Sequence, residues 1–443
     1  MSVELLRRAA KVIQETPEET YAIVQTILRE DPDNAAALYM LGTVLSMTER
    51  HGEAIPVLER AAKLAPKRNS AWNNLGLAWQ ECGRSDIARG HFQKALGMER
   101  TAQYLSNIGV TYMNEGNFAE AIRWSNRALE MEPGHVSATS NKGFAMMASG
   151  DWAGWRLYDK SLGGRFRKEM DFGAPKWEGQ PVESIVIYGE QGLGDEIAYA
   201  SILADVPATL ITLECDPRLE SLFRRSFPEI EVHGTRKLEK PWMDGTRWWH
   251  AQSAIGSLPS YLRPTIESCP KKPYLVADPE RRVMWRALFD SFKYSGGMVK
   301  PVIGLCWSGG TVNTGRKKRR IGLESFRGYI EANDAYYVSL QYEDAGQEIA
   351  ETGLPVRQFH EVLSDNYDDT AALVAELDTI IGVHTTVHHL AGAMGKATTV
   401  LVPEAASWQY AHGDAMPWYQ SNRYHRQRKS ESWADCIGRL TKA

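Results

Sequence analysis

The chain has 443 residues, 43% hydrophobic and 24% charged, which is ordinary for globular domains and long enough for two or three. Lys and Arg number 51 against 55 Asp and Glu, a net charge of −4, so no global basic field draws the chain to nucleic acid. Its five cysteines (Cys82, Cys215, Cys269, Cys306, Cys436) form no CxxC, which argues for a reducing compartment and against a thiolate zinc site.

The start, MSVELLRRAAKVIQETPEET, is too polar for a signal peptide. No apolar run reaches the roughly 18 residues of a membrane span. A cytoplasmic location is expected. LYMLG, WNNLG, YLSNIG and TSNKG then place glycines at 42, 76, 109 and 143, a period of about 34. Small residues recur at Ala54, Ala88 and Ala121, and prolines close units at Pro32, Pro66 and Pro133. This pattern predicts stacked helical pairs with small residues where helices approach closely. It resembles the tetratricopeptide repeat over residues 1–163, with an incomplete first unit and a degenerate last one (136–163). Such arrays hold peptides or partner proteins, and a rigid spacer is the plain alternative. Asn73, Asn74, Asn107 and Asn141 lie on successive first helices, either to bind an extended backbone or as solvated surface.

The polar stretch 164–183, with Pro175 and Pro181, reads as a linker. β-rich runs then alternate with helical stretches: 184–190, 208–216, 230–234, 302–310, 335–343, 377–384 and 397–403. Alternation predicts parallel sheets, broken near 276–300 into two α/β halves with a cleft at their strand carboxyl ends.

Two strand-turn-helix segments stand out. In LDTIIGVHTTVHHLAGAMGK the strand ends near Val383 and a helix starts near Thr385. Hydroxyls and free N–H groups there suit a diphosphate, and a capped helix with no ligand is the plain alternative. In YGEQGLGDEIAYASIL the turn carries Glu190, Asp195 and Glu196, which would repel phosphate. A helix N-terminus lowers the pKa of Asp195. Asp195 is either a cap or a base that accepts a proton from a hydroxyl nucleophile. Glu190 and Glu196 read as caps or solvated groups. Arg316, Lys317, Lys318, Arg319 and Arg320 form a solvated cationic run, or reach a leaving diphosphate, or meet nucleic acid together with NRYHRQRKS (422–430). His384 and His388 share a helix face, but HExxH would need Glu where Thr385 stands, so zinc is disfavoured.

Together GEQGLGDEIAYASIL, PKWEGQPVESIVIY, VIGLCWSGG, YVSLQYE, DNYDDTAALVAELDTIIGVHTTVHHLAGAMGKATTVLVP and WQYAHGDAMPWYQS resemble bacterial heptosyltransferase-like glycosyltransferases, over residues 174–430. The resemblance implies a GT-B fold of two Rossmann-like domains, 184–290 on the acceptor side and 300–443 for the donor. It implies a nucleotide-sugar substrate and no cofactor or metal. Carried over, Asp195 falls on the family's base, and Gly192 and Gly194 shape its turn, with Glu190 and Gln191 in the same loop. Thr385 and Thr386 fall in the donor-phosphate loop and His389 on its "HLAGA" histidine. Trp307, Ser308 and Gly309 line the donor, with Arg319 as the cation and Gln341 and Asp369 as further cleft positions. His384 departs from the family's aspartate, which puts the donor sugar or the activity in doubt.

The expected function is therefore an inverting, metal-independent glycosyltransferase acting on a macromolecular acceptor, foremost protein Ser or Thr, recruited by the repeats. The alternatives are the same chemistry on a glycan, lipid-linked saccharide or hydroxymethylated DNA, and a non-catalytic scaffold. Nucleic acid is the less favoured partner, and a homo-oligomer is left open.

Overall fold

The computed structural model describes residues 2–164, 167–236, 240–243, 248–269, 271–293, 300–310, 319–363, 366–404, 406–411 and 413–442. The chain divides into two compact units, Met1–Ser149 and Gly150–Ala443.

The first unit is a helical array. Its successive pairs are α1 (Ser2–Val12) with α2 (Pro17–Glu30), α3 (Ala35–Met47) with α4 (His51–Leu64), α5 (Asn69–Glu81) with α6 (Ser85–Met98), and α7 (Ala102–Asn114) with α8 (Phe118–Met131). A last helix, α9 (Val136–Ala148), packs on α7 and α8. Side-chain caps start several of these helices: Asn34 accepts from Ala37 N at 3.0 Å, and Thr101 from Tyr104 N at 3.2 Å. The periodic glycines mark close approach. A methyl at Gly76 would lie 2.6 Å from Phe92 Cε1, and one at Gly42 would collide with Leu58. Leu58 and Phe92 are fully buried, each worth about 1.5–3 kcal/mol over exposure.

The asparagine ladder turns inward along the array. Asn74 Nδ2 donates to Thr43 Oγ1 (3.0 Å), Asn107 Nδ2 to Asn73 Oδ1 (2.8 Å) and Asn141 Nδ2 to Ser106 Oγ (3.0 Å). Each bond spans one repeat, so these amides stitch neighbouring repeats together.

The second unit opens with α10 (Gly154–Asp159). It continues through β1 (Val182–Tyr188), α11 (Leu193–Ala200), β2 (Ala208–Cys215), α12 (Glu220–Ser226), β3 (Glu231–Gly234), β4 (Ala251–Ala254) and α13 (Pro259–Leu262). After α14 (Pro279–Lys293) come β5 (Val302–Cys306), α15 (Arg327–Ala332), β6 (Tyr336–Ser339), α16 (Gly346–Thr352), β7 (Val356–Arg357) and α17 (Tyr367–Glu376). The unit ends with β8 (Thr379–Val383), α18 (Thr386–Ala393), β9 (Thr398–Val402), α19 (Trp408–Ala411), β10 (Asn422–Arg426) and α20 (Trp433–Gly438).

These strands build two sheets, ordered β3-β2-β1-β4 and β10-β9-β8-β5-β6-β7, with every pairing parallel. Strands β5 and β8 are buried along almost their whole length and β1 over its second half, as expected where helices cover both faces. Ile185 pairs with Ile211 and Ala251, and Leu305 with Ile381. Helix α14 packs on α17, where Arg282 and Arg286 hold Glu376, so it belongs with the second sheet.

The stretch expected as the end of the array and a linker is built into the second unit. Arg167 is 2% exposed, and Trp177 is fully buried with its indole N–H on Gln180 O (2.7 Å). A helix that buries its aromatics against later elements cannot be repeat surface. Trp155 on α10 packs against Tyr199, Trp408 and Trp418.

Candidate functional site at the seam of the two sheets

Helices α11 and α18 each start at the carboxyl end of a central strand, β1 and β8. Their first turns press together. A methyl at Gly194 would lie 3.0 Å from His389 Cδ2 and 3.5 Å from Thr386 Cα. The carboxyl ends of the two sheets therefore converge, which is where open α/β sheets bind ligands. An ion pair fastens the seam: Arg225 on α12 holds the buried Asp368 on α17 with bonds of 2.8 and 2.9 Å.

On the α11 side, Gly192 is an extended N-cap whose carbonyl accepts from Asp195 N (3.0 Å) and Glu196 N (3.1 Å). The three carboxylates of this turn have separate fates. Glu196 is fully buried, accepts from Asp216 N (2.9 Å) and pairs with Arg236. Glu190 is buried and bonded to Arg167 Nε (3.0 Å) and Gln191 Nε2 (3.1 Å). Neither is a cap or a solvated group. Gln191 is occupied as well, because its Oε1 accepts from Tyr158 O–H at 2.6 Å. Asp195 alone keeps a carboxylate with no side-chain hydrogen bond among the described residues.

The pKa of Asp195 also corrects the sequence expectation. It is pushed up to about 6, first by burial and then by the Glu190 carboxylate. Arg319, the hydrogen bond within the Gly192 turn and Arg236 act the other way and are outweighed. The helix N-terminus stabilises the anion, but desolvation and a like charge are stronger here.

On the α18 side, Thr385 is the N-cap in a reciprocal arrangement with His388. Thr385 N–H donates to His388 Nδ1 at 2.7 Å, so that N–H is spent. Thr386 and Val387 keep N–H groups that the helix cannot satisfy. Gly309, after β5, lies so close to Thr385 that a methyl there would collide with the threonine side chain. Two buried polar atoms next to this turn have no partner among the described residues: Ser308 Oγ and His384 Nδ1. Ser308 is 7% exposed and His384 3%.

Other expected donor residues are engaged in the fold. Trp307 is fully buried with its indole N–H on Glu348 (2.9 Å), a core position. Gln341 clasps the Ser308 backbone, Nε2 donating to O at 2.9 Å and Oε1 accepting from N at 3.2 Å. It shapes the β5 loop. Asp369 is taken by Arg281 of α14. His389 has both ring nitrogens bonded, to Tyr419 and Tyr410 hydroxyls at 3.1 Å each, so it is not open to a donor. Arg319 bears on Asp195, His384, His388 and His389, lowering the pKa of each. Burial is the larger influence on all three histidines, and they stay neutral, His389 with a pKa of about 3. Arg316, Lys317 and Lys318 lie outside the described residues. The second cationic stretch supplies edge strand β10, where Arg426 Nη2 donates to Gly413 O at 2.5 Å.

Beside Ser308 a cleft of about 440 Å³ opens past β6, lined by Arg320, Gln341, Tyr342, Glu348 and Glu351. Among the described residues, no group of three or more His, Cys, Asp or Glu side chains could hold a metal ion. Among them too, no helix is long and apolar enough to cross a membrane.

Sequence reasoning missed Arg167, Arg236, Tyr158, Tyr410 and Tyr419. Each acts through a partner 20 or more residues away, so no local motif marks them, apart from the aromatic density of WQY and PWY.

Two models described as tetratricopeptide repeat match residues 12–79 and 102–135. Over 441 residues the chain is 28% identical to Protein FlbA of Caulobacter vibrioides, covering 93% of this chain and 73% of that protein. Among solved structures, MamA from Desulfovibrio magneticus is 17% identical, with 36% of this chain and 92% of that one covered and a TM-score of 0.33. YrrB, titled a TPR protein with an unusual peptide-binding site, is 21% identical over 37% of this chain and 82% of that one, with a TM-score of 0.30. The first unit thus carries tetratricopeptide repeats, and a two-sheet parallel α/β unit follows them.

Proposed function

We propose that the second unit is a glycosyltransferase of GT-B type that moves a sugar from a nucleotide-sugar to a hydroxyl of a macromolecular acceptor, foremost protein Ser or Thr. The observation that carries this reading is Asp195: a carboxylate with its pKa raised to about 6, set beside the first turn of α18 where two parallel sheets converge. A base works best with a pKa near the operating pH, and Asp195 is suited to take the proton of an attacking hydroxyl. The hydroxyl oxygen then bonds to the anomeric carbon, and the bond from that carbon to the diphosphate oxygen breaks. Attack from the side opposite the leaving group inverts the centre. The leaving diphosphate gains negative charge, which the Thr386 and Val387 N–H groups and Arg319 are suited to stabilise. The cleft beside Ser308 has the volume of a small-molecule site and would take the nucleoside. The repeats supply the acceptor-recruiting surface, as arrays of this kind bind peptides.

Incubation with nucleotide-sugars, read as nucleotide release, tests the proposal. The wild type should release nucleotide from one donor class, and Asp195→Asn should lose most of that rate. Equal rates would remove Asp195 as the base. No binding of any nucleoside diphosphate would leave the non-catalytic scaffold as the better account.

A further inference from the structure

Three imidazoles and a tyrosine crowd the start of α18. The His388 and His389 rings lie 4.2 Å apart, and the His384 ring lies 4.6 Å from that of Tyr410. Their hydrogen bonds run in one direction. Thr385 N–H can only donate, so His388 Nδ1 accepts and the His388 proton sits on Nε2. That proton goes to the Tyr410 oxygen at 3.1 Å. The Tyr410 proton then goes to His389 Nε2 at 3.1 Å, and the His389 proton, on Nδ1, goes to Tyr419 at 3.1 Å. A second proton on His388 would face Thr385 N–H, and one on His389 would take the acceptor from the Tyr410 hydroxyl. Both rings are held neutral by this chain of bonds. His384 stands outside the chain: it is 3% exposed, and its Nδ1 has no partner among the described residues. A buried polar atom left without a partner is costly, and a ligand that supplies one relieves the cost.

We infer that His384 takes up a proton when an anionic diphosphate occupies the first turn of α18, and donates it as an N–H to a phosphate oxygen. This rests on the donor-site reading above and adds a proton to it. The groups facing His384 fix the sign. Burial first, then Arg319 from the segment after β5 and His389 from α18, disfavour a positive charge on it. Tyr410 from α19 faces it with a neutral ring, and Asp195 from α11 acts on that tyrosine as the nearby negative charge. A bound diphosphate brings negative charge and reverses the balance. Binding therefore strengthens as pH falls, by about tenfold per pH unit across the linkage window for one proton.

The test is calorimetry of the full chain with inorganic pyrophosphate, in two buffers of different ionisation heat, for wild type and His384→Asn. Asn keeps a hydrogen-bonding group near Nδ1 but cannot take the charge. The wild type should take up one more proton per pyrophosphate than the variant. Binding with equal proton counts overturns this inference and leaves the donor site standing. Absence of pyrophosphate binding to the wild type overturns both. If His384→Asn does not fold, ring nitrogen spectra of the wild type decide: His384 must shift from neutral imidazole to imidazolium on saturation, and an unchanged signal overturns the inference.

Discussion

The asparagine ladder of the first unit and the polar groups at the ends of β5 and β8 begin alike and end differently. Both are uncharged hydrogen-bonding side chains in a sheltered setting. In the array each ladder amide finds a hydroxyl or amide one repeat away, such as Asn107 on Asn73 at 2.8 Å. At the seam, Ser308 Oγ and His384 Nδ1 find no partner among the described residues, and Asp195 is held in a site that disfavours its charge. A chain that satisfies polar groups in one region can leave them open in another only at a cost in stability. Buried atoms without a partner among the described residues also occur in the array, at Ser46 Oγ and Ser125 Oγ. That cost therefore marks a site only where converging turns and a carboxylate of raised pKa accompany it. The ladder, whose sequence left backbone binding and solvated surface both open, bonds between repeats.

The comparison breaks or sharpens through substitution. The largest expected effect is on Asp195→Asn, which should lower nucleotide release by about 10²–10⁴-fold while the far-ultraviolet spectrum stays native. In the array, Phe92→Ala should cost about 3–5 kcal/mol by denaturant unfolding, since Phe92 is fully buried against Gly76. That change should leave pyrophosphate binding by the second unit intact.

Next comes pH. The folded pKa of Asp195, about 6, lies above its ordinary 3.8, so the folded chain holds this proton more tightly than the unfolded chain. The associated stability is fully present below pH 3.8 and is lost as pH rises through 6. The difference corresponds to about 3 kcal/mol at most, discounted to about 1–3 because Asp195 is partly exposed. Asp195→Asn should therefore be more stable than wild type at pH 8, by thermal or denaturant melting, and should show no gain at pH 4. The smallest effect is on Asn107→Ala, which should cost about 1 kcal/mol of array stability and leave nucleotide release unchanged.

What was legible in the sequence follows from range. The repeat was readable because its glycines meet Leu58 and Phe92 in the same way in successive units. Strands β5 and β8 and the second half of β1 were readable because burial on both faces makes them continuous apolar runs. Strand β4, with sequence AQSA, and edge strand β10, with sequence NRYHR, carry no such signal. The two turns of the site were visible as Gly192–Asp195 and His384–Thr386. Their chemistry was not, because it is set by tertiary neighbours. Burial and Glu190 raise the Asp195 pKa, Thr385 N–H and Tyr410 take the nitrogens of His388, and Tyr410 and Tyr419 take those of His389. Helix α10 escaped as well, since its role depends on Trp408 and Trp418, more than 250 residues downstream.

The central claim is that Asp195 is the base of a transfer site at this seam. The pH profile of kcat/KM for nucleotide release tests it most directly, because that profile reports groups of the free enzyme. The ratio of wild-type to Asp195→Asn rate should rise as pH rises through about 6 and then level off, because any proton taken up at His384 on binding affects both alike. A ratio that shows no step near pH 6 would contradict the account.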